Sequence, residues 1–213
     1  MIHESTKKSV DLLEIRLDYM TDTSSTVMSN LETLVNECQI PLVATNRKFE
    51  EGGHHAQAEK SRRKLLIKAA EIGFQYVDVE LSTMGLGCVV SNLKDYDATP
   101  IISLHNLEDT PPLDELKKII KKQIKEGAEI CKLITTAQTL ADNLRCLQLV
   151  SEVCKSTRII SFAMGKKGRL SRILSPFFGG EFTYASLKDG LETASGQISI
   201  NDLRKIYHEL AVT

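Results

Sequence analysis

The chain has 213 residues, 42% of them hydrophobic, and a formal net charge of −1. This size and composition predict one globular domain over residues 1–213. The balanced charge argues against nucleic acid as a partner, and no apolar run approaches the roughly 18 residues that a membrane-spanning helix needs. Five scattered cysteines without metal-like spacing indicate reduced thiols and a cytoplasmic location.

The first part of the chain alternates between strand and helix patterns. Residues 11–18 alternate apolar and charged side chains, which is typical of a strand with one buried face. The next elements, predicted from apolar periodicity, are a helix over 24–37, a strand over 41–45, a helix over 57–72 and a strand over 76–81.

The same alternation continues to the end of the chain. Strands are predicted over 99–105, 128–134 and 158–163, with a weaker seventh over 182–185. Amphipathic helices are predicted over 113–126, 138–154 and 199–210.

A strand and a helix recur about every 25 to 35 residues, which predicts parallel strands with crossover helices. An open doubly wound sheet usually has a glycine-rich first turn, and none follows Asp18. A barrel gathers polar residues at the carboxyl ends of its strands, as this pattern does. We therefore predict an α/β fold, the (β/α)8 TIM barrel. Residues 1–10 are polar and contain no strand pattern, so the first strand is expected to be missing or displaced.

Lys132 lies in the middle of the apolar run 128–134. A lysine inside a buried strand is costly because burial disfavours its charged form. Two explanations are open. The side chain either reaches water or a carboxylate, or it serves as a neutral amine that attacks a carbonyl group.

The spacing of three residues favours the second explanation. Glu80, His105 and Lys132 are 25 and 27 residues apart, about one strand–helix unit each. Neighbouring strands lie about 4.8 Å apart, so in a barrel these side chains would meet at one mouth. There Glu80 would orient His105, His105 would transfer protons, and Lys132 would form an imine with a ketone.

An imine makes the adjacent C–H acidic, and a base can then pass that proton to a leaving hydroxyl group. This chemistry fits a dehydratase or an aldolase. Arg16, Arg47 and Arg172 would bind an anionic, hydroxylated substrate.

Structural explanations also exist for several of these residues. His105 could cap a loop, Glu14 and Arg16 could form a structural pair, and Glu80 could balance an arginine. Their joint placement near strand ends favours an active site.

Seven motifs between Asp11 and Leu210 resemble, in order, those of type I 3-dehydroquinate dehydratase, the Schiff-base enzyme of the shikimate pathway. They are Glu14-Ile15-Arg16-Leu17-Asp18, Arg47 with Glu51-Gly52-Gly53, Asp78-Val79-Glu80-Leu81, Ser103-Leu104-His105-Asn106 with Thr110-Pro111, Cys131-Lys132, Met164-Gly165 with Gly168 and Ser171-Arg172, and Ala194-Ser195-Gly196-Gln197.

The resemblance implies an eight-stranded barrel with no metal or organic cofactor. It implies conversion of a small-molecule substrate, 3-dehydroquinate, to 3-dehydroshikimate by syn elimination through an imine. Lys132 would carry the imine, His105 would be the general acid and base, and Glu80 would hold His105.

The resemblance also implies a set of substrate-binding residues. These are Glu14, Arg16, Arg47, Arg172, Thr193 and Gln197. Thr193 stands where the family has a lid serine, and the resemblance allows a homodimer. Two alternatives are another imine-forming lyase of the class I aldolase type and a truncated barrel that binds without turnover. Arg172 and Gln197 favour the dehydratase over the aldolase.

Overall fold

The computed structural model describes residues 10–20, 22 and 24–210. Within these ranges the strands are β1 (Leu13–Arg16), β2 (Leu42–Thr45), β3 (Tyr76–Glu80), β4 (Thr99–His105), β5 (Ile130–Thr136) and β6 (Arg158–Met164). The α-helices are α1 (Ser25–Glu37), α2 (Glu59–Glu71), α3 (Leu86–Asp95), α4 (Leu113–Lys125), α5 (Asp142–Val153), α6 (Arg169–Leu174) and α7 (Ile200–Glu209).

The strands follow one another in the sheet in chain order, from β1 to β6. The β1–β2, β2–β3 and β3–β4 pairs are parallel, with Leu13 opposite Leu42 and Tyr76 opposite Thr99. A doubly wound sheet would reverse its strand order at a switch point. The sequential order instead agrees with barrel-type winding, so the predicted α/β class is confirmed.

The chain divides into two compact units, which we describe separately. The first unit comprises residues 1–105 with 121–131, and the second comprises residues 106–120 with 132–213. The expected gap at the first barrel strand concerns residues 1–10. Of these, residues 1–9 lie outside the part of the chain that the structure describes.

The first unit is built around β2 and β3, which are buried on both faces. Val77 and Val79 of β3 pack in an apolar cluster that includes Leu66 and Ala69 of α2. Each fully buried valine or leucine side chain contributes roughly 1.5–3 kcal/mol to folding. Asp78 and Glu80, on the opposite face of β3, are also buried but carry carboxylates. Burial of this face of the sheet requires that these carboxylates form ion pairs or hydrogen bonds.

In the second unit, α5 packs against β6. Cys146 of α5 and Ala163 of β6 belong to one buried cluster. Ser171 fixes the start of α6, because its hydroxyl accepts a hydrogen bond from Ala163 N at 3.0 Å and its amide donates to Asn143 Oδ1 at 2.8 Å. These contacts fix α6, which carries Arg172, against the end of β6.

Two helices were not predicted. Helix α3 has Leu86, Val89, Val90 and Leu93 buried at helical spacing, so its pattern was present in the sequence but short. Helix α6 has only six residues, and a 3-10 turn over Lys166–Gly168 leads into it. A pattern of less than two turns is too short for periodicity to show.

Two predicted strands differ from the observed ones. The strand over 11–18 ends at Arg16 and continues as a 3-10 turn, Leu17–Tyr19. Residues 182–185 form no regular strand in the structure. Glu181 N bonds to Ile159 O at 2.7 Å, but the residues after it bond to Arg172 instead of extending a ladder. None of the helices in the described ranges has the length and apolar character needed to cross a membrane.

Candidate active site

Arg47, two residues beyond β2, is the centre of a charged network in the first unit. Its guanidinium is only 4% exposed and donates to Asp78 Oδ2 at 2.7 Å, Glu80 Oε1 at 2.8 Å and Ser103 Oγ at 2.7 Å. Although burial opposes the charge, Asp78 and Glu80 raise the pKa of Arg47 above its usual value. Arg47 is therefore held firmly in its charged form by carboxylates of the protein itself.

Glu80, at the end of β3, is fully buried and lies between two arginines. One oxygen accepts from Arg47 and from the amide of Lys48 at 3.0 Å, while the other accepts from Arg62. Arg62 is itself 2% exposed, so each of these buried charges depends on the others. These contacts agree with the structural explanation of Glu80, in which its carboxylate balances the charge of an arginine.

Glu51 lies beside His105. Glu51 Oε2 accepts the backbone amide of His105 at 2.9 Å and lies 3.5 Å from His105 Nδ1. The support of His105 by Glu80 stays a prediction, and Glu51 is a second carboxylate next to the same imidazole. A catalytic role for Glu80 itself stays a prediction.

A glycine pair places Glu51. The residue ends a 3-10 turn, Phe49–Glu51, and Gly52 follows in the left-handed region at φ 88°. Gly53 lies so close to Arg47 that an added Cβ would be 2.1 Å from the Arg47 carbonyl oxygen. The Glu-Gly-Gly sequence after Arg47 was therefore the signal for this residue, although no role for Glu51 was predicted from it.

Glu51 is partly enclosed by the first unit. Burial, and next the negative charge of Glu80, raise the pKa of Glu51, while Arg47 and the His105 amide act in the opposite direction. The resulting carboxylate is more basic than usual and holds its proton to a higher pH than an exposed glutamate.

The β1 residues make separate contacts. Glu14 Oε1 accepts from Thr45 Oγ1 at 2.7 Å. Arg16 forms a two-pronged pair with Asp18, with Nε–Oδ1 at 2.8 Å and Nη2–Oδ2 at 2.6 Å. Arg16 is thus paired with Asp18, and the charges of Asp18 and Glu14 both act to raise the pKa of Arg16 against the effect of burial.

Asp18 also anchors the loop that carries Glu51. Its carboxylate accepts the amides of Arg47 at 3.3 Å and His54 at 2.9 Å. Burial raises its pKa, but the ion pair with Arg16 and these amides outweigh burial and lower the pKa of Asp18. One buried carboxylate therefore connects β1 to both ends of the loop after β2.

In the second unit, Lys132 lies against an aromatic ring. It is the third residue of β5, so it lies within the strand and not at its end. It is 4% exposed, and its Nζ donates to Tyr184 Oη at 3.2 Å and lies 4.3 Å from the ring centroid. This burial contradicts the explanation in which the lysine reaches water.

Arg172 of α6 is buried over the ring of Phe162, with Cζ 4.2 Å from the centroid. Its Nη1 donates to the carbonyl of Tyr184 at 3.4 Å. Within the described part of the chain, Nε and Nη2 are buried without a hydrogen-bond partner. Burial, with a smaller effect of the neighbouring Arg169, lowers the pKa of Arg172 to about 10. The donors Nε and Nη2 are suited to a two-pronged interaction with an anionic ligand.

Thr193 and Gln197 bond to each other. Thr193 N donates to Gln197 Oε1 at 2.7 Å, and Gln197 Nε2 lies 3.3 Å from Thr193 Oγ1. Their loop contacts the residue after β6, because Gly165 N donates to Ser195 O at 3.1 Å. An added Cβ at Gly196 would lie 2.4 Å from the Gly165 carbonyl oxygen, so this contact requires glycine.

Each unit therefore gathers a subset of the predicted residues. The first unit contains Glu14, Arg16, Arg47, Glu80 and His105, and the second contains Lys132, Arg172, Thr193 and Gln197. Residues that sequence reasoning did not single out as functional are Glu51, Asp18 and Tyr184. Their sequence signals were the Glu-Gly-Gly turn, the charge that follows Arg16, and a tyrosine in a weak strand pattern.

The sequence model of one family, described as type I 3-dehydroquinase, matches residues 1–213. The chain belongs to the type I 3-dehydroquinase family. The 3-dehydroquinate dehydratase of Dehalococcoides mccartyi (strain 195) is 38% identical over 209 residues, which cover 97% of this chain and 90% of that protein.

Solved structures of type I 3-dehydroquinase relatives share the fold. The 3-dehydroquinate dehydratase of Geobacillus kaustophilus HTA426 matches with a TM-score of 0.91 at 27% identity, covering 99% of this chain and 84% of that one. The enzyme of Aquifex aeolicus VF5 matches with a TM-score of 0.86 at 27% identity, covering 100% and 93%. The fold class of the chain is the TIM-barrel-like α/β fold of this family.

Proposed function

We propose that the chain dehydrates 3-dehydroquinate to 3-dehydroshikimate in the shikimate pathway, through an imine on Lys132. Family membership and the named relatives support the reaction. One structural observation carries the lysine assignment. Lys132 is buried within a strand, with its Nζ held by a phenol and an aromatic face.

In the proposed reaction, the amine of Lys132 attacks the substrate ketone, and a proton moves from nitrogen to the carbonyl oxygen. A second proton, donated by protonated His105, lets that oxygen leave as water while nitrogen keeps its remaining proton. The resulting iminium withdraws electrons from the adjacent C2–H bond. His105 removes that proton, the C2 electrons form the new double bond, and the hydroxyl leaves with a proton from His105. Hydrolysis of the imine returns the lysine and releases the product.

We assign Glu51 to the support of His105. A carboxylate near Nδ1 stabilises the imidazolium that forms when His105 takes the proton. Glu80 keeps its predicted role in supporting His105, and it also holds Arg47 and the amide of Lys48 at the base of the same loop.

We assign Arg172 to the substrate carboxylate, because its buried Nε and Nη2 offer two donors. Glu14, Arg16 and Arg47 are assigned to the substrate hydroxyls. Thr193 and Gln197 would contact the substrate after exchanging the hydrogen bonds that they now make with each other.

Four further expectations belong to this proposal: a single domain over residues 1–213, a cytoplasmic location, a homodimer, and activity without metal or organic cofactor. The cysteines support the location, because none of the five is joined in a disulfide in the structure.

Borohydride reduction in the presence of 3-dehydroquinate tests the central assignment. The reduced adduct should add mass to the peptide that contains Lys132, and Lys132→Ala should lose both the adduct and the absorbance of 3-dehydroshikimate. Lys155→Ala, a change at an exposed lysine, is the control and should behave like the wild type. An adduct that persists in folded Lys132→Ala protein would place the imine elsewhere.

A further inference from the structure

The side chain of Tyr184 contacts the amine of Lys132, the proposed nucleophile. Its hydroxyl lies 3.2 Å from Lys132 Nζ, and the same nitrogen lies 4.3 Å from the centroid of its ring. The amine is thus held by two features of one residue, a hydrogen-bonding oxygen and a negatively polarised ring face.

The segment that carries Tyr184 is fixed to α6. Thr183 Oγ1 donates to the carbonyl of Arg172 at 2.8 Å, and the Arg172 guanidinium donates back to the carbonyl of Tyr184. The Tyr184 ring also packs against Phe162 and Phe182, with centroid distances of 6.5 and 5.5 Å. The hydroxyl is therefore presented from a supported ring.

We propose that Tyr184 is a positioning residue for the amine of Lys132. Its hydroxyl fixes the direction of Nζ, and its ring stabilises the positive charge of the iminium. The inference rests on the proposed function, because it assumes that Lys132 forms the imine.

The two parts of the side chain act at different moments. A neutral amine has two N–H bonds and one lone pair, so an N–H donated to the phenol oxygen fixes rotation about the Cε–Nζ bond. The lone pair then has a defined direction for attack on the ketone. When water leaves, nitrogen keeps one proton and becomes positively charged over the ring face, which favours the cation.

Two substitutions separate these parts. Tyr184→Phe removes only the hydroxyl, and Tyr184→Leu removes the hydroxyl and the ring. Tyr207→Phe is the matched control, because its hydroxyl donates to the carbonyl of Ile173 at 2.9 Å in the same unit. All three variants are compared with the wild type by their unfolding midpoints before kinetics are measured.

The measured quantity is the rate at which borohydride traps the substrate on Lys132, together with kcat and KM. Loss of one hydrogen bond to a group that becomes charged corresponds to about a tenfold slower trapping rate in Tyr184→Phe. We expect kcat to fall with it, KM to change by less than about twofold, and Tyr184→Leu to fall by about a further tenfold. Tyr207→Phe should trap at the wild-type rate.

Trapping of Tyr184→Phe at the wild-type rate would overturn the inference while leaving the imine assignment intact. Trapping with the wild-type protein separates the imine assignment of Lys132 from the positioning role of Tyr184. If the wild type gives no adduct at Lys132, the proposed function fails first and the inference fails with it. If Tyr184→Leu does not fold, the comparison of Tyr184→Phe with Tyr207→Phe still decides.

Discussion

The two units handle buried cations in opposite ways. In the first unit, Arg47 donates to Asp78, Glu80 and a serine, so its charge is neutralised by the protein. In the second, Arg172 is also buried, but it faces an aromatic ring, and two of its donors have no hydrogen-bond partner among the residues that the structure describes. We expect the first arrangement to support the fold, and we propose that the second keeps its donors for an anionic ligand at some cost to stability.

Replacing Arg47 and Arg172 in turn by methionine is the most direct test of this difference between the two units. Arg47→Met removes the cation that Asp78 and Glu80 share and leaves Glu80 with Arg62, so we expect a loss of about 3–5 kcal/mol in the free energy of unfolding. Arg172→Met removes a poorly satisfied charge, and stability should stay equal or increase. Urea unfolding measures both.

For Arg172, we expect the substitution to reduce catalytic activity strongly even though it does not reduce stability. Arg172→Met should lower kcat/KM by about a hundredfold or more, mainly through KM, because the substrate carboxylate loses a two-pronged partner. If Arg172→Met unfolds as readily as Arg47→Met, Arg172 is a structural residue and the contrast between the units is wrong.

In the first unit, Glu51 is a residue whose proposed catalytic role is expected to lower the stability of the fold. Glu51→Gln keeps the shape and an acceptor for the His105 amide but loses the charge near Nδ1, so kcat should fall by about a hundredfold. Burial and Glu80 raise the pKa of Glu51, so the folded state binds its proton more tightly than the unfolded state does. Stability therefore falls as pH rises from the unfolded to the folded pKa.

It follows that Glu51→Gln should be more stable than the wild type at pH 7, and that this gain should shrink in acid. Unfolding at several pH values measures the difference. Glu50→Gln, one residue earlier and exposed, is the control. A variant less stable than the wild type at neutral pH would show that Glu51 serves mainly the fold.

Asp18 gives the smallest expected effect. Asp18→Asn weakens the pair with Arg16 but leaves an oxygen for the amides of Arg47 and His54, so we expect a loss of about 1–2 kcal/mol in the free energy of unfolding and only a few-fold change in kcat. Because Arg16 and these amides lower the pKa of Asp18, its contribution is present at neutral pH and is lost as pH falls through that lowered pKa.

Unfolding of both proteins across the acid range checks this prediction, since the wild type and Asp18→Asn should converge at low pH. A difference that does not change with pH would mean that the carboxylate charge is not what connects β1 to the loop.

The sequence alone determined the alternation of strands and helices, because apolar periodicity reports which faces are buried. It predicted β4 with its observed bounds, Thr99–His105, and it predicted the family through ordered motifs. It missed α3 and α6, whose patterns are short, and it predicted a strand at 182–185, where side-chain bonds to α6 replace the ladder.

Only the tertiary structure decided which groups are partners. Glu80 and Glu51 are both carboxylates near a strand end, and nothing in their spacing shows that buried arginines occupy the first while the second reaches His105. Likewise, a lysine in an apolar run is ambiguous until its surroundings are known. The ring and hydroxyl of Tyr184, 52 residues away in the chain, give that lysine its environment. Local sequence records burial, but pairing between distant side chains depends on how the elements pack.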